Sequence, residues 1–149
     1  MIGFGYDVHK LAEGESLVLG GVVLESRLGT VAHSDGDVLL HAVMDALLGA
    51  LALGDIGLHF PDTKEEWRGA DSIDMLERVM HILHKEEAHV VNIDSTVVLE
   101  APRLRPHIEA MRERIRETVL GVPSPSESSG LRLPLTFAAN RSGSSIHSR

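Results

Sequence analysis

Ser34-Asp35-Gly36-Asp37-Val38-Leu39-Leu40-His41-Ala42-Val43-Met44-Asp45-Ala46-Leu47-Leu48-Gly49-Ala50-Leu51-Ala52-Leu53 is the stretch from which the fold can be read. Ser34, Asp35 and Asp37 are residues that cap helix N-termini, because their side-chain oxygens accept the backbone N–H groups a first turn leaves free. Behind them Leu40, Val43, Met44, Leu47, Leu48 and Leu51 recur at helical spacing, which predicts a helix over Val38–Leu53 closed by Gly54. The run is too short to span a membrane and is interrupted by His41 and Asp45. Asp37, His41 and Asp45 are four residues apart and share one helix face.

Working outward, Ile2–His9 reads as a strand, and Leu17–Leu19 and Val22–Leu24 flank Gly20-Gly21 as a hairpin. Asp55–Arg68 reads as a loop with a turn at Pro61-Asp62. Asp71 or Ser72 caps a second helix whose apolar face is Ile73, Leu76, Val79, Met80 and Leu83. His89–Leu99 is a strand rich in Val and Ile. A third helix over Pro106–Leu120 carries Ile108, Met111, Ile115 and Val119 inward, with Gly121 beyond its end. The alternation of strands and helices predicts an α/β (α+β) single domain, with helices packed on one face of a mixed β-sheet. After Gly121 the chain becomes rich in Ser and Pro. Leu131–Phe137 offers one strand there, confined to an edge or bulge by Pro134, and Asn140–Arg149 reads as a disordered tail. No internal repeat occurs.

The chain has 149 residues, 43% hydrophobic and only 3% aromatic, which suits one domain with an aliphatic core. Its formal charge of -8, without long basic runs, argues against nucleic acid as a partner. Without cysteine there is no disulfide framework, and any zinc site must use His, Asp or Glu. The N-terminus lacks a basic region followed by an apolar one, so no signal peptide and a cytoplasmic location are expected, with no membrane partner.

Asp7 and His9 are two apart on a predicted strand and so project from one face, where they can hold one metal ion; the alternative is a strand end with two solvated side chains. His41 lies in the most apolar helix, where a charged imidazole is costly. A neighbouring carboxylate can orient its ring, or it can be a core histidine bonded to Asp45. Taken together, Asp7, His9 and His41 make an Asp-His-His set, and three protein ligands with one open position is the usual layout of catalytic zinc. His33-Ser34 stands before a helix N-terminus, a place that attracts phosphate, although the segment is equally readable as a plain cap. Gly54-Asp55-Ile56-Gly57 and Phe60-Pro61-Asp62-Thr63 form a polar loop able to close over a ligand. Glu100-Ala101-Pro102-Arg103-Leu104-Arg105 brings two arginines together, which suits an anion or a solvated surface. The other histidines show no informative spacing.

The order of these pieces resembles the 2-C-methyl-D-erythritol 2,4-cyclodiphosphate synthase family. The resemblance is carried by Gly-Tyr-Asp-Val-His at 5–9, Ala-His-Ser-Asp-Gly-Asp-Val-Leu-Leu-His-Ala at 32–42, Asp-Ala-Leu-Leu-Gly-Ala at 45–50, Leu-Gly-Asp-Ile-Gly at 53–57 and Phe-Pro-Asp-Thr at 60–63. It continues through Glu100-Ala101-Pro102-Arg103 and Pro106-His107-Ile108, and covers about residues 1–121. The resemblance implies a homotrimer with active sites between subunits. The small-molecule substrate would be a nucleotide diphosphate, 4-diphosphocytidyl-2-C-methyl-D-erythritol 2-phosphate, cyclised with release of CMP in the non-mevalonate route to isoprenoids. It implies Asp7, His9 and His41 as zinc ligands, with Asp7 and His9 also at the substrate, and zinc positioning and polarising a diphosphate oxygen. His33 and Ser34 would contact phosphate, with His33 stabilising the transition state. Asp55, Ile56 and Gly57 would lie near the erythritol. Phe60, Pro61, Asp62, Thr63 and Lys64 would form the loop over the substrate, with Lys64 where the family often has an acid. Leu99, Glu100, Ala101, Pro102, Arg103, Leu104 and Arg105 would cradle the cytidine diphosphate end. In-line phosphoryl transfer needs mainly alignment and charge neutralisation, so no Ser-His-Asp or Cys-His arrangement is required.

Beyond Gly121 the chain departs from that pattern. The family continues with a Lys-Ala-Thr-Thr-x-Glu strand and a Gly-Arg-Gly-Glu-Gly segment, and neither stands in residues 122–149. The family's glutamate there holds a second cation, Mg2+ or Mn2+, and its threonine helps stabilise the transition state; this chain's last acid is Glu127. The expected organisation is a synthase-like part, 1–121, and a divergent C-terminal segment, 122–149, of the same domain. Two further readings compete: a zinc hydrolase using an activated water, and a non-catalytic metal-binding trimer that kept the fold.

Overall fold

A computed structural model describes residues 1–61 and 63–121 in full and the backbone of 135–140. Gly20 and Gly21 adopt φ of +59° and +72°, the left-handed pair that a two-residue hairpin turn requires. They join β2 (Leu17–Leu19) to β3 (Val22–Leu24), with Leu19 opposite Val22 and Leu17 opposite Leu24. Leu17, Leu19 and Leu24 enter the core, so the expected hairpin forms with its leucines inward.

The hairpin turn is tied to helix α1 (Val38–Ala50) through one side chain. Asp37 caps α1 by accepting from the Leu40 N–H at 3.0 Å, and also accepts from Gly20 at 3.0 Å and Gly21 at 2.7 Å. Its side chain is fully buried. Burial pushes the Asp37 carboxyl up to about 6, against the three backbone N–H groups that favour its ionised form. The turn has no spare room, because a Cβ on Gly20 would meet Met111 at 2.8 Å and one on Gly21 would meet Ile73 at 2.7 Å.

The helix ends three residues before the expected Leu53. Ala52 turns into the left-handed region at φ +57°, and the N–H groups of Ala52 and Leu53 return to Gly49 and Leu48, which closes the last turn. Asp71 caps helix α3 (Ser72–Lys85), and its five expected core residues are all buried. Between α1 and α3 the expected loop contains a short helix, α2 (Ile56–His59), and a single 3-10 turn (Glu65–Trp67). Helix α4 (Ile108–Gly121) buries Met111, Ile115 and Val119, whereas Ile108 is only half-buried and Gly121 is the last helical residue. Helix α3 packs on both α1 and α4.

The strands differ from the expected single mixed sheet. Among the described residues they form three separate pairs. β1 (Leu11–Glu13) and β4 (Leu28–Thr30), neither of which was expected, pair antiparallel, as do β2 and β3. β5 (Ile93–Val98) pairs in parallel with β6 (Leu135–Asn140). β5 is shorter than the His89–Leu99 expectation. β6 begins just after Pro134, which cannot donate to a ladder, and reaches Asn140, which the tail was expected to include. Residues 131–134 and 141–149 lie outside the described residues. No helix among the described residues is long and apolar enough to cross a membrane.

Ile2–His9 lies in no strand ladder among the described residues. Its side chains nevertheless alternate: Gly3, Gly5, Asp7 and His9 face inward, while Ile2, Phe4, Tyr6 and Val8 are exposed. The inward glycines let the segment run against the α1 backbone, since a Cβ on Gly3 would fall 1.8 Å from the Ala46 carbonyl oxygen and one on Gly5 1.9 Å from that of Ala42. Gly5→Val is therefore expected to lift the segment from α1 and to cost about 1–3 kcal/mol. Thermal unfolding checks this, and an unchanged midpoint would show that the contact does not matter.

Candidate metal centre and active site

The glycine contacts carry the N-terminal segment along α1 to its first turn, where Asp7 and His9 meet His41. One carboxylate oxygen, Asp7 Oδ2, lies 2.8 Å from His9 Nε2 and 3.0 Å from His41 Nδ1. The other, Oδ1, accepts the Val8 N–H at 2.7 Å, which turns Oδ2 toward the imidazoles. One donor atom from each residue lies within 4.8 Å of the other two. A tetrahedral ion with bonds of about 2.0–2.1 Å needs donors about 3.3 Å apart, so the gathered set fits a divalent metal with little adjustment. The donor chemistry fits as well: two neutral imidazoles and one carboxylate suit a borderline cation. Burial pushes the His41 imidazole below its ordinary value, working against the nearby Asp7 carboxylate, and favours the neutral, metal-binding form.

The helix-face expectation for Asp37 and Asp45 is corrected here. Neither carboxylate bonds to the His41 imidazole, although the Asp37 carbonyl accepts the His41 N–H at 3.0 Å within the helix. Asp37 is taken up by the hairpin turn, and Asp45 accepts the Ile56 N–H at 2.9 Å, fastening α2 to α1. His41 instead meets Asp7 on one ring nitrogen, and Ser34 Oγ and Ser72 Oγ, both at 3.2 Å, on the other. Sequence reading missed Ser72 in this place. Its position beside the Asp71 cap was visible, but its proximity to a side chain 31 residues away was not.

The triad opens on a cavity of about 280 Å³. His33 and Ser34 line it on one side, and Ile56, Gly57 and Phe60 on another. Trp67 and Met75, which the sequence did not single out, complete the lining along with Val31 and Ala32. The His33–Ser34 turn is held to the start of α3: the His33 carbonyl accepts from Gly69 at 2.7 Å, and the Asp35 N–H donates to the Ala70 carbonyl at 3.1 Å. Phe60 is buried and meets Trp67 edge-on with ring centroids 5.0 Å apart, and the Arg78 guanidinium covers Trp67 at 4.9 Å.

Other expected site residues stand elsewhere. Asp55 caps α2 by accepting from Leu58 at 2.9 Å and is not in the cavity lining. Pro61 is half-buried, Thr63 and Lys64 are exposed, and Asp62 lies outside the described residues. Glu100, Ala101, Arg103 and Arg105 are exposed, Pro102 is half-buried, and Leu104 packs in the core. Leu99 lines a larger apolar groove of about 980 Å³ between the N-terminal segment and β5. Within one chain, Leu99–Arg105 does not reach the triad's cavity.

Fold and site together define a small mixed α/β domain with an Asp-His-His group, a candidate metal site, at the mouth of a polar cavity. The model of the YgbB family matches residues 1–125, and the chain belongs to that family, the 2-C-methyl-D-erythritol 2,4-cyclodiphosphate synthases. The synthase of Marinobacter nauticus is 59% identical over 123 residues, which are 83% of this chain and 77% of that protein. The synthase of Pseudomonas fluorescens is 47% identical over 148 residues, 99% of this chain and 94% of that protein. Among solved structures, a 2C-methyl-D-erythritol-2,4-cyclodiphosphate synthase in its CDP-bound form superposes with a TM-score of 0.78 at 39% identity, covering 93% of this chain and 88% of that one.

Proposed function

We propose that this chain is a 2-C-methyl-D-erythritol 2,4-cyclodiphosphate synthase, a phosphorus–oxygen lyase that converts 4-diphosphocytidyl-2-C-methyl-D-erythritol 2-phosphate to the cyclic diphosphate and CMP. The observation that carries the reading is the convergence of Asp7, His9 and His41 on a cavity also lined by His33, Ser34, Ile56 and Gly57. The 2-phosphate oxygen attacks the β-phosphorus of the diphosphate, and the bond to the CMP leaving group breaks. Asp7, His9 and His41 would hold a zinc ion, which would supply Lewis-acid polarisation of a diphosphate oxygen. His33, exposed at the cavity, stabilises charge that develops on the reacting phosphate. Ser34 donates to a phosphate oxygen, and Ile56, Gly57 and Phe60 hold the erythritol carbons away from water. Phe60–Lys64 close over the substrate, and Asp55 and Leu99–Arg105 bind it from outside the triad's cavity, the latter at the cytidine diphosphate end.

The same reading makes the protein a homotrimer whose active sites lie between subunits. It accounts for Leu99–Arg105 standing away from the triad within a single chain. The exposed apolar residues Ile2, Phe4, Tyr6 and Val8 line one apolar groove together with Val91 and Val98, before and on β5, and apolar surface of this kind commonly marks a contact with another chain.

Residues 1–121 form the synthase part and 122–149 its divergent C-terminal segment, without the glutamate that would hold a second Mg2+ or Mn2+. Losing one preorganised transition-state donor commonly costs about 10²–10³ in rate. CMP release from the authentic substrate is therefore expected at a rate lower by that factor than in a family member with the Lys-Ala-Thr-Thr-x-Glu strand. Grafting that strand and its following segment after Gly121 should restore it. Full activity in the unmodified chain would refute the deficiency. Inactivity both before and after grafting would favour a non-catalytic metal-binding protein.

A further inference from the structure

Ser72 opens α3, its side chain is fully buried, and it stands between two groups of opposite need. On one side its hydroxyl lies 2.5 Å from Asp35 Oδ1, a carboxylate oxygen that can only accept. The Ser72 proton is therefore committed to Asp35. On the other side the same oxygen lies 3.2 Å from His41 Nε2. With its proton already given away, Ser72 Oγ can meet that nitrogen only as an acceptor, so Nε2 must carry the hydrogen. The lone pair of a neutral His41 is then on Nδ1, the nitrogen beside Asp7 Oδ2.

Asp35 is itself locked in place. Its Oδ2 accepts the Ser72 N–H at 2.9 Å, its Oδ1 accepts the Asp37 N–H at 3.1 Å, and its own N–H donates to the Ala70 carbonyl. Ser34 Oγ also stands 3.2 Å from His41 Nε2, but it accepts the Gly36 N–H and meets no carboxylate among the described residues that takes its proton, so it can point its hydrogen either way. His9, in contrast, has a buried Nδ1 without a hydrogen-bond partner among the described residues. Among the described residues, only one of the two imidazoles has its ring orientation set from behind.

We propose that Ser72, backed by Asp35, is a positioning residue that fixes the Nε2–H form of His41 and aims Nδ1 into the Asp7–His9–His41 group. The arrangement is a carboxylate acting on a metal-binding histidine through an intervening hydroxyl. It deepens the metal-site reading and rests on it.

The test compares the parent chain with Ser72→Ala and Ser34→Ala. Zinc affinity is measured by competition with a chromophoric chelator, and the His41 ring N–H is followed by proton–nitrogen NMR in the zinc-loaded chains. Removing an orienting partner of this kind typically weakens metal binding about 10–100-fold. Ser72→Ala is expected to show that loss, together with faster solvent exchange of the Nε2–H proton, whereas Ser34→Ala keeps the slowly exchanging resonance. A purely structural role would lower the melting temperature of the metal-free chain without moving the resonance of the loaded one. Unchanged affinity and exchange in Ser72→Ala, with zinc still bound by the parent, would overturn the inference and leave the metal site standing. A parent chain that takes up no zinc would overturn both.

Discussion

Replacing His41 by alanine is expected to leave the purified chain without zinc, where the parent carries about one ion per chain. Two ligands remain after the change, Asp7 and His9, and the segment that bears them lies in no ladder among the described residues. Loss of Lewis-acid assistance worth several kcal/mol should lower CMP release by about three decades or more. Elemental analysis of the two proteins decides the matter: equal metal content would remove His41 from the ligand set. Asp45→Asn is the informative companion. Its carboxylate serves the Ile56 N–H and not the imidazole, so the metal should stay.

Asp37→Ala is expected to produce the largest loss of stability of any single replacement considered for this chain, about 3–5 kcal/mol near pH 5. Three N–H groups, the buried ones of Gly20 and Leu40 and the half-buried one of Gly21, would lose their acceptor at once. Each such orphan costs about 1–3 kcal/mol, partly relieved by water entering the space. The penalty should also depend on pH in a definite direction. Burial holds the Asp37 carboxyl at about 6 in the folded chain, against an ordinary value of 3.8. Between those values the folded chain keeps a proton that the unfolded chain releases. The contribution of Asp37 to stability is therefore greatest below about pH 4 and declines as pH rises toward 6. Denaturant unfolding of parent and variant should show the gap between them narrowing across that interval. A gap that widened instead would mean that the three N–H groups outweigh burial and hold the carboxylate ionised.

The parts legible in the sequence are those whose cause is local. The Gly20-Gly21 turn, the Asp37 and Asp71 caps and the apolar faces of α1 and α3 each follow from residues a few positions apart. The convergence of Asp7, His9 and His41 was legible for a related reason: a spacing of two and one histidine in an apolar helix limit which polar side chains can turn inward. What escaped was set by distant partners. Asp37 shares a helix face with His41, yet its carboxylate bonds to residues 16 and 17 positions earlier. Ser72 reaches His41 and Asp35 across 31 and 37 positions. Periodicity has no access to such pairs. β1 and β4 escaped because three residues are too few for an alternating pattern, and β4 has Gly29 at its centre. Ile2–His9 has a strand's alternation without a ladder among the described residues, because alternation reports which faces are covered and not what the backbone bonds to.

That last segment carries a constraint of parity. Its odd-numbered positions supply the two glycines that touch α1 and the two ligands beyond them, and its even-numbered positions supply an outward apolar row. A substitution can alter one row and spare the other. A single inserted or deleted residue between Gly5 and Asp7 cannot, because side chains alternate with a period of two and every residue on one side of the change exchanges faces. The carboxylate would then turn toward solvent and an aliphatic side chain toward the imidazole of His41. Two residues added or removed together would restore the alternation but displace the ligands along α1 by about 6.6 Å. This stretch therefore tolerates changes of residue far better than changes of length.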